Sequence, residues 1–306
     1  MHLQRWAGTV VAWAPAKINL FLEILGKRAD GYHELATLMV AVRLFDTLTF
    51  KEDASELQLR CHHPGLSTGP DNLIVKAARL LQQLTGCNRG ARIRLVKRIP
   101  MEAGLAGGST DAAATLAGLN LLWQLGLTTQ DLEGLAGRLG SDVPFFLHTP
   151  AAWCTGRGEI VQPAPLGKPL DLVLVCPKAG LATAAVYKQV WVPDKPVDGS
   201  ALRAALARGD VETLGRLLHN RLQAPAESLC PDVARWRQRL ESLQPAGQLM
   251  SGSGSSLFAL CRDRGEAQRL AQALTHGSEE DANVFVVRSC TAQSPPLPLG
   301  SAAPPG

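Results

Sequence analysis

The sequence predicts an α+β protein with a strand-rich N-terminal part and a C-terminal part in which helices layer on a sheet. Three observations carry this. Long β-favouring runs fill the first sixty residues, helical periodicity begins near residue 71, and strands and helices alternate beyond a Pro/Gly-rich connector. A chain of 306 residues can bury a sizeable core as one large domain or two modest ones.

Residues 9–24, 38–50 and 56–61 read as strands, being alternating or continuous in β-favouring side chains. From Asp71 the pattern turns helical, with apolar side chains at 73, 74, 77, 80, 81 and 84. A strand over Ala91–Lys97 leads into a glycine-rich segment and a helix over about 110–123. The next helix is expected over 129–139, capped by Thr128 or Thr129 and stopped by Gly140, and Ser141-Asp142-Val143-Pro144 opens a new element. Gln162–Pro169 is dense in turn formers and marks the boundary between domains at 1–165 and 166–291. Leu170–Cys176 reads as a buried strand. Helical patterns follow near 182–191, 200–207, 211–222 and 231–243, then a strand (256–262), a helix (265–275) and a strand (283–289). The Pro/Gly/Ala-rich residues 292–306 read as a disordered tail.

Composition narrows the function. A net charge of +4 suits an enzyme of anionic metabolites and is too weak and diffuse to argue for nucleic acid. No apolar run approaches the ~20 residues that span a bilayer. Lys17 already lies within a strand pattern, so the N-terminus is not read as a signal peptide. The cysteines at 61, 87, 154, 176, 230, 261 and 290 form no CxxC pair. They are expected to be reduced residues of a cytoplasmic protein, neither a disulfide framework nor a zinc site.

The chemistry concentrates in Pro100-Met101-Glu102-Ala103-Gly104-Leu105-Ala106-Gly107-Gly108-Ser109-Thr110-Asp111, set between a strand and a helix. Glycines there let the backbone approach a ligand, and a helix N-terminus offers unpaired N–H groups that favour a phosphate. A side chain at Gly107 is expected to block that approach. Ser109 and Thr110 can cap the helix, bind a phosphate oxygen or reach a metal-bound water. Asp142 is either the cap of the element that follows it or a catalytic carboxylate. Lys17, a lone cation in an apolar strand, either points at an anion or sits on a solvated edge.

The order P-x-x-x-G-L-[GA]-G-G-S-[ST]-x-A-A, with Ala14-Pro15-Ala16-Lys17-Ile18-Asn19-Leu20 before it and Met250-Ser251-Gly252-Ser253-Gly254 after it, resembles the GHMP kinases. The resemblance implies the two-domain fold of that superfamily: a strand-rich N-terminal ATP-binding domain, a C-terminal α/β sandwich, and the active site between them. It implies ATP with Mg2+, the metal ligands being left open. Leu139-Gly140-Ser141-Asp142-Val143-Pro144 resembles a segment whose aspartate is the catalytic base, so Asp142 with Lys17 becomes the expected catalytic pair. Pro100, Gly104, Leu105, Ala106, Gly107, Gly108, Ser109 and Thr110 would hold the ATP phosphates, with Asn72 and Lys97 lining the adenine pocket or serving structure.

Arg28-Ala29-Asp30-Gly31-Tyr32-His33 resembles one branch, whose acceptor is a cytidine diphosphate derivative of methylerythritol phosphorylated on its 2-hydroxyl in isoprenoid precursor biosynthesis. Tyr32 and Tyr187 would then sandwich the cytosine, His33 would bond its edge, and Asn19 and Thr183 would contact the polar part. Homoserine- or mevalonate-type kinases and a non-catalytic nucleotide-binding protein are the other readings. The D-G-Y-H block argues against the first, and intact Lys17, Asp142 and glycine segment against the second. Ala106 stands where many members have glycine, which implies ordinary backbone angles at that position.

Overall fold

The structure, a computed structural model, describes residues 1–148, 150–275 and 281–291; the tail expected over 292–306 lies outside the described residues. After a short β1 (His2–Trp6), two very long antiparallel strands, β2 (Thr9–Lys27) and β3 (His33–Asp53), form the spine of the molecule. The first half of β2 alternates between buried and half-buried residues, as a strand with one covered face should. From Ala14 to Ile24 every residue is buried, because the same strand passes between two layers. Register shifts at Pro15/Ala16, Asn19/Phe21 and Ile24/Gly26 bend the ribbon as it makes that passage.

The N-terminal sheet is completed by β4 (Leu57–Cys61), β5 (Gly90–Val96), β6 (Ala151–Thr155) and β7 (Ile160–Pro163). β5 pairs with residues 47–53 of β3 and β6 with residues 37–40. Helices α1 (Leu73–Thr85), α2 (Gly107–Trp123) and α3 (Thr129–Leu139) cover this sheet, with the Ala-rich α2 buried along most of its length. Thr128 caps α3 through a reciprocal capping box with Asp131.

Beyond β8 (Asp171–Pro177) come α4 (Thr183–Gln189), α5 (Ser200–Arg208), α6 (Val211–Leu217), β9 (His219–Asn220), α7 (Gln223–Leu229) and α8 (Pro231–Ser242). Then follow β10 (Gly247–Met250), β11 (Leu257–Cys261), α9 (Arg264–Thr275) and β12 (Ala282–Arg288). The second sheet runs β10-β11-β8-β12, antiparallel throughout. Two tethers return to the spine: β9 pairs in parallel with Phe21 and Leu22, and the Cys290 amide donates to Ala41 O at 2.8 Å.

Some expectations differ from the structure. The helix expected over 211–222 stops at Leu217, because residues 219–220 extend to pair with β2 and tertiary pairing outweighs local periodicity. The helix expected from 110 begins at Gly107, inside the glycine segment. Strands β1, β6, β7 and β10 were not anticipated, being short and without clear alternation. All seven cysteines are free. Among the described residues no helix is long and apolar enough to cross a membrane.

Candidate active site

The two layers meet around one cleft of ≈ 1070 Å³. Pockets for one small ligand run to roughly 1,000 Å³ at most, so this cleft has room for two substrates. Lys17, Asn19, Tyr32, His33, Asn72, Lys97, Asp142, Thr183 and Tyr187 all line it, although they lie up to 170 residues apart in sequence.

Lys17 is 3% exposed and is not a solvated edge residue. Its Nζ donates to Asn19 Oδ1 at 2.7 Å and lies 3.6 Å from Asp142 Oδ2. Asn19 Nδ2 in turn donates to Thr37 Oγ1, which donates to Phe21 O. This chain of bonds consumes the buried polar groups and fixes the ammonium with its free side toward Asp142. Asp142 follows the end of α3 at Gly140 and precedes a single 3-10 turn over Pro144–Leu147. No side chain caps that turn, so the capping alternative for Asp142 fails; its carboxylate faces Lys17 instead.

The amides of Gly107, Gly108 and Ser109 head α2 with no intrahelical acceptor, and all three residues line the cleft. Ser109 and Thr110 do not cap the helix. Ala106 is the N-cap residue, with no side-chain cap bond, and Thr110 donates its amide back to Ala106 O. Thr110 and Leu105 are buried and do not line the cleft. Pro100, Gly104 and Ala106 do line it. Ala106 corrects the expectation of ordinary angles: its φ of 55° and ψ of 35° are left-handed, because the chain must reverse before α2 begins. Gly104, with φ +72°, packs so closely on Ser251 O that a Cβ would collide with it. The two glycine-rich segments therefore interlock at the centre of the cleft.

Gly107 also departs from expectation. It is buried, and a Cβ there would point inward, 2.8 Å from Lys97 Nζ and 3.1 Å from Ile99 Cγ2. Lys97 is clamped between Asp46 (2.5 Å) and Asp111 (2.8 Å) in a buried triad beneath the glycine segment. Asp46 also accepts the Arg98 and Ile99 amides. Asp111 has an Oδ1 without a partner; burial pushes its carboxyl up to about 8 against the pull of Lys97, with Asp46 adding to the rise. Burial thus disfavours a second full negative charge beside Lys97 and limits the charge held under the phosphate site. Asn72 caps α1 by accepting from Ile74 N at 2.9 Å, and its Nδ2 donates to Ser67 O. Lys97 and Asn72 therefore brace the cleft wall as well as line it.

At the other end, the His33 and Tyr187 rings meet at 5.4 Å and Arg157 lies over Tyr32, 4.9 Å from the ring centroid. Each tyrosine thus has its own partner, and among the described residues the two rings share the cleft without a ring-to-ring contact. Burial, with the nearby Asp142 charge, raises the Tyr187 hydroxyl pKa. Burial, with Lys27, lowers that of His33, which keeps the imidazole neutral with one donor and one acceptor nitrogen. Thr183 shares a 2.8 Å hydrogen bond with Ser253. Sequence reasoning assigned no role to Asp46, Asp111, Thr37, Arg157 or Asn220. Asn220 Nδ2 donates to Met250 O and Gly252 O and so anchors the third motif.

The family model described as "GHMP kinases N terminal domain" matches residues 72–149, and "GHMP kinases C terminal" matches residues 202–278. A 4-diphosphocytidyl-2-C-methyl-D-erythritol kinase of Symbiobacterium thermophilum is 43% identical over 280 residues, covering 90% of this chain and 97% of the relative. One of Gloeobacter violaceus is 41% identical over 289 residues, covering 92% and 94%. A crystal structure of 4-(cytidine 5'-diphospho)-2C-methyl-D-erythritol kinase superposes with a TM-score of 0.76 at 37% identity, over 91% of this chain and 98% of that one. A homoserine kinase from Cytophaga hutchinsonii shares the fold, with a TM-score of 0.74 at 19% identity over 95% and 97%.

Proposed function

This chain belongs to the GHMP kinases, and from that premise we infer that it transfers the γ-phosphoryl group of ATP to the 2-hydroxyl of 4-diphosphocytidyl-2-C-methyl-D-erythritol, a step of non-mevalonate isoprenoid precursor synthesis. The observation that carries the chemistry is the buried Lys17 held 3.6 Å from Asp142 between a phosphate-type cradle and an aromatic pocket. We place the domains at 1–165 and 166–291 and the protein in the cytoplasm.

In this reading the amides heading α2 and residues Pro100 to Ser109 receive the ATP phosphates. Tyr32, His33, Thr183 and Tyr187 receive the cytidine end of the acceptor, and Asn19 its polar part. The acceptor oxygen then attacks the γ-phosphorus in line, the bond to the ADP oxygen breaks with its electrons, and Asp142 takes the hydroxyl proton late in the step. Lys17 orients Asp142 and offsets negative charge as it develops. The donor set fits a metal that arrives on the nucleotide. Among the described residues no three His, Cys, Asp or Glu side chains cluster, while Ser109 lines the cradle and its hydroxyl would meet a metal carried by the phosphates. Mg2+ bound there would neutralise phosphate charge.

The test is a product assay with purified protein, ATP and the cytidine diphosphate acceptor, run beside homoserine and mevalonate. Asp142→Asn should lower kcat by about 10²–10⁴-fold, the range for a lost general base, with ATP affinity largely kept. Lys17→Met should lower kcat in the same direction. Near-wild-type turnover of Asp142→Asn, or efficient phosphorylation of homoserine or mevalonate, overturns the assignment.

A further inference from the structure

Arg157 stands at the tip of the turn between β6 and β7, and the protein fixes that turn against the aromatic end of the cleft. Gly156 and Gly158 take φ values of +73° and +115°, which favour glycine. The Gly156 amide donates to Glu34 Oε1 at 3.1 Å, and Gly156 O accepts the Leu35 amide at 2.8 Å. The Arg157 amide donates to Glu159 Oε2 at 2.6 Å. Glu34 and Leu35 directly follow Tyr32 and His33, so the turn and the base-facing rings belong to one braced unit.

The guanidinium carries little of that bracing. Its Nε has one long contact to Glu159, at 3.5 Å, and its two terminal nitrogens have no hydrogen-bond partner among the described residues. The side chain is 27% exposed and lines the cleft. One face of the Tyr32 ring supports it, and the Glu159 and Asp30 carboxylates lie near enough to steady its charge while leaving the terminal nitrogens without a hydrogen-bond partner among the described residues. One residue further on, a Cβ on Gly158 would lie 3.8 Å from Asp142 Oδ1. Arg157 therefore lies between the aromatic end and the carboxylate that faces the reacting hydroxyl.

An acceptor whose base rests at Tyr32 and whose hydroxyl reaches Asp142 must run its linker past this point. We propose that Arg157 binds the diphosphate linking the two ends of the acceptor, and that it makes the site select cytidine diphosphate conjugates over cytidine derivatives lacking that charge; this rests on the acceptor assigned above. A planar guanidinium with two free terminal nitrogens matches a pair of phosphate oxygens, and its attraction to them is charge-assisted. Lys188 also lines the cleft, but among the described residues no hydrogen bond or ion pair ties it to Tyr32 or to the turn, so its charge is not positioned as that of Arg157 is.

The experiment measures acceptor KM and kcat for wild type, Arg157→Ala, Arg157→Lys and Lys188→Ala. It also measures binding of CDP and of cytidine with the ATP site filled by a non-hydrolysable ATP analogue. Arg157→Ala should reduce the advantage of CDP over cytidine, and raise acceptor KM, by about ten- to a hundredfold, the worth of hydrogen bonds to a charged group. Arg157→Lys should recover part of that loss, Lys188→Ala should cost less than Arg157→Ala, and the ATP KM should stay constant. An unchanged ratio of CDP to cytidine affinity in Arg157→Ala, or a larger loss in Lys188→Ala, overturns the assignment while the kinase activity stands. A wild-type protein that fails to phosphorylate the acceptor overturns both.

Discussion

Gly107 and its neighbour Gly108 separate two roles that a glycine-rich segment usually blends. At Gly107 an added methyl would sit 2.8 Å from Lys97 Nζ and 3.1 Å from Ile99 Cγ2, both tighter than ordinary contact. Lys97 cannot swing aside, because Asp46 and Asp111 hold it at 2.5 and 2.8 Å. Overpacking of this kind costs about 1–3 kcal/mol, while the gain in helix propensity from Gly→Ala returns at most ~1 kcal/mol. Were the ammonium pushed off one carboxylate, the loss would rise to about 3–5 kcal/mol, as for a broken buried pair. At Gly108 the methyl would meet only Leu73 Cδ1, at 3.5 Å, and Gly108 is exposed and lines the cleft, so the added group changes the surface offered to the phosphates. Urea unfolding of Gly107→Ala should therefore show a clear loss of stability, and Gly108→Ala little or none. Titration with ATP should show the reverse order once both variants are held at a temperature where they are folded. A Gly107→Ala protein as stable as wild type would refute the inward geometry. Equal ATP affinity in Gly108→Ala and wild type would refute the cradle.

Ala106→Gly should gain about 0.5–1 kcal/mol in the same unfolding assay, the left-handed penalty of roughly 1–2 kcal/mol being partly offset by the extra freedom of glycine in the unfolded chain; a loss of stability would refute the strain. His33 should bind the acceptor as a neutral imidazole. Since burial, with Lys27, lowers its pKa below the usual imidazole value of about 6.5, acceptor KM should stay flat as pH falls from 8 and rise only below that value, a dependence that His33→Asn removes. Tyr32→Ala and Tyr187→Ala should each weaken the acceptor by about 1–3 kcal/mol, roughly ten- to a hundredfold, with ATP unaffected. Unchanged acceptor affinity in both would reject base stacking.

The sequence exposed those parts of the site that are written as contiguous runs. Pro100 to Asp111 spans one strand-to-helix turn, so its glycines and helix start were legible together, and Lys17 stood out as a charge in an apolar strand. The backbone of that turn was not legible. Ala106 suggested ordinary angles because alanine usually avoids φ > 0, yet the reversal into α2 forces it there. Likewise Leu218–Asn220 continued a helical period and became a strand, since pairing with Phe21 and Leu22 is a long-range reward invisible to any local window.

What stayed hidden shares one physical cause. Thr37, Asp46, Asp111 and Asn220 are polar residues in strands or helices, where a local reading treats them as the solvent-facing half of an amphipathic pattern. They are buried here because the β2–β3 spine and α2 are covered from both sides. A buried polar side chain needs partners, and each of these finds one on a residue that sequence reasoning had already marked, or on the segment that carries it. Thr37 holds Asn19 and through it Lys17; Asp46 and Asp111 hold Lys97; Asn220 holds Gly252 beside Lys17. Glu23 extends the rule to the joint between the layers. Against burial, which raises it, the Arg221 pair, the Val197 and Ile24 amides and His219 hold its carboxyl down to about 2. Residues that meet substrate are thus legible from local pattern, whereas those that hold them in place become legible only when two-sided burial turns a polar position into a demand for a partner.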